Sequence, residues 1–318
     1  IRRGPLAPPE SATEVFDVDA ETNLNTFVTT PWPTDLAIQK DRQQGNQWVV
    51  IDRMRGGSNI LDTSSNSAEN TNGTGSYFSG MDYMDGIDLN FFSSDASNNV
   101  VYNWKRASGF FDVVAYTGNG TAGRTVSHNL GVAPEMIWVK SRNASNDWAV
   151  YHAGIDVNSD AKPETDWIRL NLTNAATDYR VWDDTAPTST EFTLYDYTNV
   201  NESNTNFIAY LFATLPGVSK VGSYTGNGSS QTIDCGFTSG ARFVLIKRTD
   251  STGSWVVYDT ERGIVSGNDA ALLLQSSGAE YSGADEIDPN SSGFDVVHDA
   301  NGFLTNASGA SYIFYAIA

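Results

Sequence analysis

The chain has 318 residues, 40% hydrophobic and 12% aromatic, enough for two or three cored domains and too apolar for disorder. Nineteen basic residues against 38 acidic ones leave a formal charge of −19, which disfavours nucleic acid and anionic membrane surfaces and favours a solvated acidic exterior. One cysteine, Cys235, excludes an internal disulfide, and no apolar run reaches the roughly 18 residues that cross a bilayer.

The chain opens on "IRRGPLAPPESA", with neither an initiator Met nor an apolar signal core. Residues 1–14 read as an extended, Pro-rich arm, and the chain as a processed product or part of something longer. The first strands beyond the arm lie in "LAIQKDRQQGNQWVVID" (36–52), followed by "GIDL" (86–89) and a closing "VVYNW" (100–104). The series then repeats. "IWVKSRNASNDWAVYH" (137–152), "EFTL" (191–194) and "NFIAYLFA" (206–213) form a second set. "LIKRTDSTGSWVVYD" (245–259), "GFDV" (293–296) and "SYIFYAIA" (311–318) form a third.

Spacing ties the sets together. Lys40 and Trp48, Lys140 and Trp148, and Lys247 and Trp255 are each eight residues apart. "AYTGNG" (115–120) returns 108 positions later as "SYTGNG" (223–228). A fixed order at a near-constant period predicts an internal triplication. The modules are 15–108, 109–216 and 217–318, joined near "RASGF" and "LPGVSK". Short β-branched and aromatic runs between Asn-Gly, Ser-Gly and Thr-Gly clusters predict an all-β fold. We expect three tandem antiparallel β-sandwiches, jelly-roll-like, resembling beads in a row. The helix-like stretch at Ala270–Gln275 is too short to organise a fold.

The glycine motif invites a phosphate-loop reading, since Gly118, Gly120 and Gly123 match Gly-x-Gly-x-x-Gly. The third module lacks the last glycine at that spacing, and no helix follows. Asn-Gly between strands predicts a type I′ hairpin instead. The first module lacks the motif, which makes its N-terminal edge a candidate for contact with another chain.

Candidate chemistry is sparse. His128, His152 and His298 read as surface or turn residues, and no nucleophile elbow is present, so no catalytic residues are assigned. "DVNSD" (Asp156, Asn158, Asp160) opens like a calcium loop but lacks its glycine, and "DYMDGID" supplies Asp82, Asp85 and Asp88. These are the two candidate calcium sites, and no other cofactor is expected. The recurrent Trp48, Trp148 and Trp255 read as core. The non-recurrent Trp32, Trp167 and Trp182 are candidates for glycan or partner contact. Lys40, Lys140 and Lys247 read as snorkelling rim residues. Sequons at Asn72, Asn119, Asn143, Asn171, Asn201, Asn227, Asn290 and Asn306 matter if a glycosylating host makes the protein.

The joined motifs "FFDVVAYTGNGTAGRTVSHNLGVAPEMIWVKSRNASNDWAVYH", "VWDDTAPTSTEFTL" and "VGSYTGNGSSQTIDCGFTSGARFVLIKRTDSTGSWVVYDTERG" resemble a module of uncharacterised function from tail-associated and other structural proteins of marine bacteriophages. The resemblance covers residues from about 20 to 318. It implies a virion or extracellular appendage and no catalytic residues. The expected role is therefore a non-enzymatic structural subunit of a phage tail, fibre or filament. Its partners would be further copies of the chain or other virion subunits. A module that binds host-surface glycans is the alternative.

Overall fold

A computed structural model describes residues 8–20, 27–71, 78–89, 98–298 and 302–318. The fold is all-β: among the described residues the α-helical segment α1 (Thr198–Asn201) is a single turn. The first module holds β1 (Phe16–Asp19), β2 (Phe27–Thr29), β3 (Leu36–Asp41), β4 (Val49–Asp52), β5 (Asn59–Ile60), β6 (Asn70–Thr71), β7 (Phe78–Gly80), β8 (Gly86–Leu89) and β9 (Asn99–Trp104). The second holds β10 (Phe111–Thr117), β11 (Arg124–Ser127), β12 (Met136–Ser141), β13 (Ala149–His152), β14 (Asp166–Arg169), β15 (Thr177–Asp178), β16 (Glu191–Leu194) and β17 (Asn206–Phe212). The third holds β18 (Ser219–Thr225), β19 (Gln231–Asp234), β20 (Phe243–Arg248), β21 (Trp255–Asp259), β22 (Asp269–Leu273), β23 (Tyr281–Ala284), β24 (Ile287–Asn290), β25 (Gly293–Val296) and β26 (Ser311–Ile317).

Each module stacks a large sheet on a small one. The large sheets run β1-β9-β3-β4, β10-β17-β12-β13-β14-β15 and β18-β26-β20-β21-β22-β23. The small ones run β2-β8-β7, β11-β16 and β19-β25-β24. The first strand pairs with the last and the second with the penultimate or its counterpart, the nested pairing of a jelly roll. The fourth strand departs from that pattern by staying on the large sheet.

Both faces of each large sheet are covered, so its central strands are buried at almost every position. In the second module, alternation along the strand sends Ile137, Val139, Ala149, Phe207 and Leu211 outward to meet Val126, Phe192 and Leu194 of the small sheet. Their neighbours Met136, Trp138, Trp148, Val150, Tyr210 and Phe212 face the opposite way. There they join Trp48, Tyr102 and Trp104 of the first module and Phe243, Trp255 and Tyr315 of the third in one continuous core. The beads-in-a-row expectation is therefore corrected: three sheets enclose a shared interior.

The recurrent tryptophans close this arrangement. Trp48 Nε1 donates to the Leu273 carbonyl (2.9 Å), Trp148 Nε1 to Asp62 (2.9 Å) and Trp255 Nε1 to Arg169 (2.8 Å). The contacts run from first module to third, third to second and second to first, a closed cycle.

Two of the three interfaces carry a buried charge network. Asp52 accepts from Arg55 Nε (2.5 Å) and from Tyr210 of the second module (2.7 Å). Arg55 reaches Glu69 at 3.1 Å, and Glu69 is clamped by Nε and Nη2 of Arg142. At the first–third interface, Asp259 accepts from Arg262 Nε (2.6 Å) and Tyr102 (2.7 Å), Arg262 reaches Glu280, and Arg42 clamps Glu280. The second–third interface replaces Asp, Arg and Glu by His152, Ile155 and Ala176, and the clamping arginine by Thr249. The backbone bond that accompanies the clamp is kept there, from Ala176 N to the Thr249 carbonyl (2.8 Å).

Several local expectations change. Residues 269–273 form strand β22 rather than a helix. The Gly-Asn-Gly segments do not turn hairpins, because they connect strands of different sheets. They dock instead on the loop before the last strand: Asn119 N donates to Asn201 Oδ1, and Asn227 N to Asn306 Oδ1. Glycine is needed there because a Cβ on Gly118 or Gly226 would stand about 2 Å from a carbonyl oxygen, 2.1 Å from that of Glu202 or 2.2 Å from that of Ala307. The corresponding stretch of the first module, the suspected contact edge, lies at residues 21–26, outside the described residues. The arm is not extended throughout either: Ala12–Glu14 form a 3-10 turn, and Ala12 packs in the shared core.

Candidate functional site

The candidate residues of the second module converge on its outer edge. Strands β14 and β15 end the large sheet there, with Asp166 directly opposite Asp178. Like charges facing each other across an antiparallel pair oppose the pairing. Among the described residues, neither they nor Asp156 nor Asp160 form an ion pair with a basic side chain. The loop carrying Asp156, Asn158 and Asp160 folds over this pair. Val157 N donates to Asp166 Oδ2 (2.8 Å) and Asn158 Nδ2 to Asp178 Oδ2 (2.6 Å). Asp156 Oδ1 in turn accepts from Asp160 N at 2.9 Å.

Asp166 is fully buried, and its Oδ1 has no hydrogen-bond partner. Burial pushes its carboxyl above the usual range, and Asp178, Asp160 and Asp156 push it the same way. The Val157 N–H opposes them only in part.

Beside the acids lies an aromatic cluster. Tyr179 packs on Tyr197 with ring centroids 5.0 Å apart and on Tyr195 at 6.4 Å, and the Arg180 guanidinium lies 4.7 Å from the Tyr195 ring. Tyr179 is 42% exposed, and Tyr195 and Tyr197 are half-buried. The tryptophans expected to make surface contacts do not. Trp167 and Trp182 are 2% and 1% exposed and support the cluster from beneath, with Trp167 against Tyr197 at 5.5 Å. Trp182 Nε1 donates to the Asp166 carbonyl at 3.0 Å. Trp32 is buried too, its indole bound to the Thr13 carbonyl. An indole buried on both faces adds more core than any exposed position would repay.

The first-module acids do not form a comparable group. Asp82 and Asp85 are exposed and Asp88 half-buried. Among the described residues no three His, Cys, Asp or Glu side chains already surround one point.

Other reactive groups serve the fold. Lys40, Lys140 and Lys247 are fully buried rather than at a rim. Their ammonium groups donate to loop carbonyls, and two reach across an interface, Lys40 to Ser277 (3.1 Å) and Lys247 to Thr173 (3.2 Å). Burial pulls Lys40 and Lys140 down to about 8 and Lys247 to about 7. His128 and His152 are also buried, whereas His298 is exposed. Burial pushes the Cys235 thiol up to about 12, away from nucleophilic use. Of the sequons, Asn171, Asn201 and Asn306 are buried and hydrogen-bonded, so the folded chain offers no acceptor there. Asn119, Asn143 and Asn227 are exposed, Asn290 is half-buried, and Asn72 lies outside the described residues.

Residues 12–318 match DUF7483, a domain of unknown function. The chain belongs to that family. The match spans all three modules, in keeping with their shared core. No curated protein matches the chain.

Sequence reasoning missed Asp166, Asp178, Tyr179, Tyr195 and Tyr197. No local spacing links them, because the ladder and two loops assemble them from distant positions.

Proposed function

We propose that the chain is a non-enzymatic structural subunit, one rigid block of a virion appendage such as a tail or fibre, or of an extracellular filament. The observation that carries this reading is the closed cycle of tryptophan bonds around a shared core. Modules fixed in this way resist relative motion, which suits a load-bearing part that repeats by symmetry with copies of itself or with other subunits. The buried lysines and Cys235 are committed to backbone or core, in keeping with a role that needs no chemistry.

Electron microscopy of the purified full chain at rising concentration tests this. Ordered fibres, rings or filaments are expected, and a monodisperse monomer at every concentration counts against it. Removing residues 1–7 alone asks whether the arm links subunits. A longer cut would take Ala12 out of the core.

A second reading, recognition of host-surface glycans, is favoured by the Tyr179, Tyr195 and Tyr197 cluster with Arg180. Such rings stack on sugars while their hydroxyls bond to them. A glycan array with wild type and Tyr179→Ala tests it. Binding lost in the variant supports recognition, and no binding by wild type removes it.

A further inference from the structure

We propose that the Asp156–Asp160 loop together with Asp166 and Asp178 forms a calcium site on the outer edge of the second module. The inference is independent of how the block assembles. Four carboxylates and the Asn158 amide offer oxygen ligands only, a donor set for a hard cation rather than for zinc or copper. Asp166 supplies the decisive observation: it is fully buried, it points into the loop through its bond from Val157 N, and its second oxygen has no partner. A bare carboxylate oxygen in the interior is costly unless a cation or proton reaches it.

The third module shows how a buried aspartate one residue from the matching position is settled without an ion. Asp269 opens the corresponding strand, and its carboxylate accepts backbone N–H bonds from Val265 (3.3 Å), Glu286 (3.0 Å) and Ile287 (3.0 Å). Asp166 receives one such bond and three neighbouring carboxylates instead. By register the position of Asp166 itself holds the neutral Asn59 in the first module and Ala270 in the third. Of these three matching positions, that of Asp166 carries the bare carboxylate oxygen.

The acids do not yet surround a single point, so binding draws the exposed side chains of Asp156, Asp160 and Asp178 inward onto Asp166. Flexible closure of this kind suits calcium, which tolerates irregular geometry, better than magnesium, which demands an octahedron. A site that closes on binding belongs in the affinity range of extracellular modules, a Kd of about 10⁻⁴ to 10⁻³ M.

Terbium luminescence on the full chain tests this, because Trp182 donates to the Asp166 carbonyl and Trp167 is the next residue, so indole excitation reaches a bound lanthanide. The expected result is saturable terbium emission that calcium displaces. The double variant Asp160→Asn/Asp178→Asn should lower the terbium affinity at least tenfold, while Asp85→Asn in the first module leaves it unchanged. Both sites of the double variant are exposed, so its fold should persist, which circular dichroism verifies. Absence of saturable emission in wild type, or equal affinity in the folded double variant, overturns the proposal.

Discussion

Two of the three interfaces between modules bury an Asp–Arg–Glu network, and the third does the same structural work with neutral groups. In the charged pair every partner is present: Asp259, for example, takes bonds from Arg262 and Tyr102, and Arg262 goes on to Glu280. At the third, His152 and Ile155 replace the Asp and Arg, and His152 Nε2 donates to the Phe314 carbonyl at 3.2 Å. Buried ions are tolerable as complete sets, and a neutral set is the other complete solution. Mixtures of the two are not.

The largest expected effect breaks one charged set. Arg262→Met leaves Asp259 buried and uncompensated, which should cost about 3–5 kcal/mol, read by urea denaturation. Ile155→Met, at the matching neutral position, should cost less than about 1.5 kcal/mol. Equal costs at the two positions would remove the distinction.

Installing half of the charged set on the neutral interface is the next test. His152→Asp alone should destabilise by about 3 kcal/mol, again by burying an unpaired carboxylate. Adding Ile155→Arg should recover much of it, with a coupling of about 2 kcal/mol in a double-mutant cycle. Strict additivity would mean that the two positions do not form one set.

Some of this was open to reading from sequence. Strand identities, the closing strands and the Lys-to-Trp spacing are local features, and alternation with turn residues reports them directly. Asp52 and Asp259 are each followed three residues later by arginine, whereas His152 is followed by Ile155, so the two kinds of interface were legible in part. Their partners Tyr210, Tyr102, Glu69 and Glu280 were not, since each is set by a contact between residues far apart in the chain. Closure around a shared core was equally hidden. A strand buried on both faces reads the same whether its second cover is its own small sheet or another module. At the candidate site, Asp156, Asn158 and Asp160 stood out because they share one loop. Asp166 and Asp178 became visible only once the β14–β15 register placed them face to face.

Acid should distinguish the interfaces further. His152 donates through Nε2 and accepts the Gly154 N–H at Nδ1, so both nitrogens are committed to the neutral ring. Burial pulls it from 6.5 to about 4. The unfolded chain therefore binds the extra proton first. Stability falls as pH drops from about 6.5, and the loss reaches about 3 kcal/mol near pH 4. Asp17 and Asp269, both pushed up to about 6 by burial, act the other way, because the folded chain takes up their protons first as pH drops from about 6. Comparing wild type with His152→Gln across this range cancels the aspartates. The advantage of wild type at pH 7 should shrink by about 3 kcal/mol by pH 4, and a constant difference would contradict the assignment.

The smallest effect tests the neutral solution at a single oxygen. Tyr102, Tyr210 and Tyr315 occupy one register position, opposite Ile38, Trp138 and Leu245. The first two hydroxyls donate to Asp259 and Asp52, both at 2.7 Å. The Tyr315 hydroxyl lies near the Trp104 indole, but neither atom makes a regular hydrogen bond. Removing a hydroxyl that bonds to a buried carboxylate costs about 1–3 kcal/mol, because the acceptor stays behind. Removing one without a partner leaves nothing unsatisfied and relieves its own desolvation. Tyr102→Phe and Tyr210→Phe should therefore destabilise, while Tyr315→Phe should be neutral or stabilising by up to about 1 kcal/mol. A matching loss at Tyr315 would place a bonded partner on its hydroxyl and make the third interface as polar as the other two.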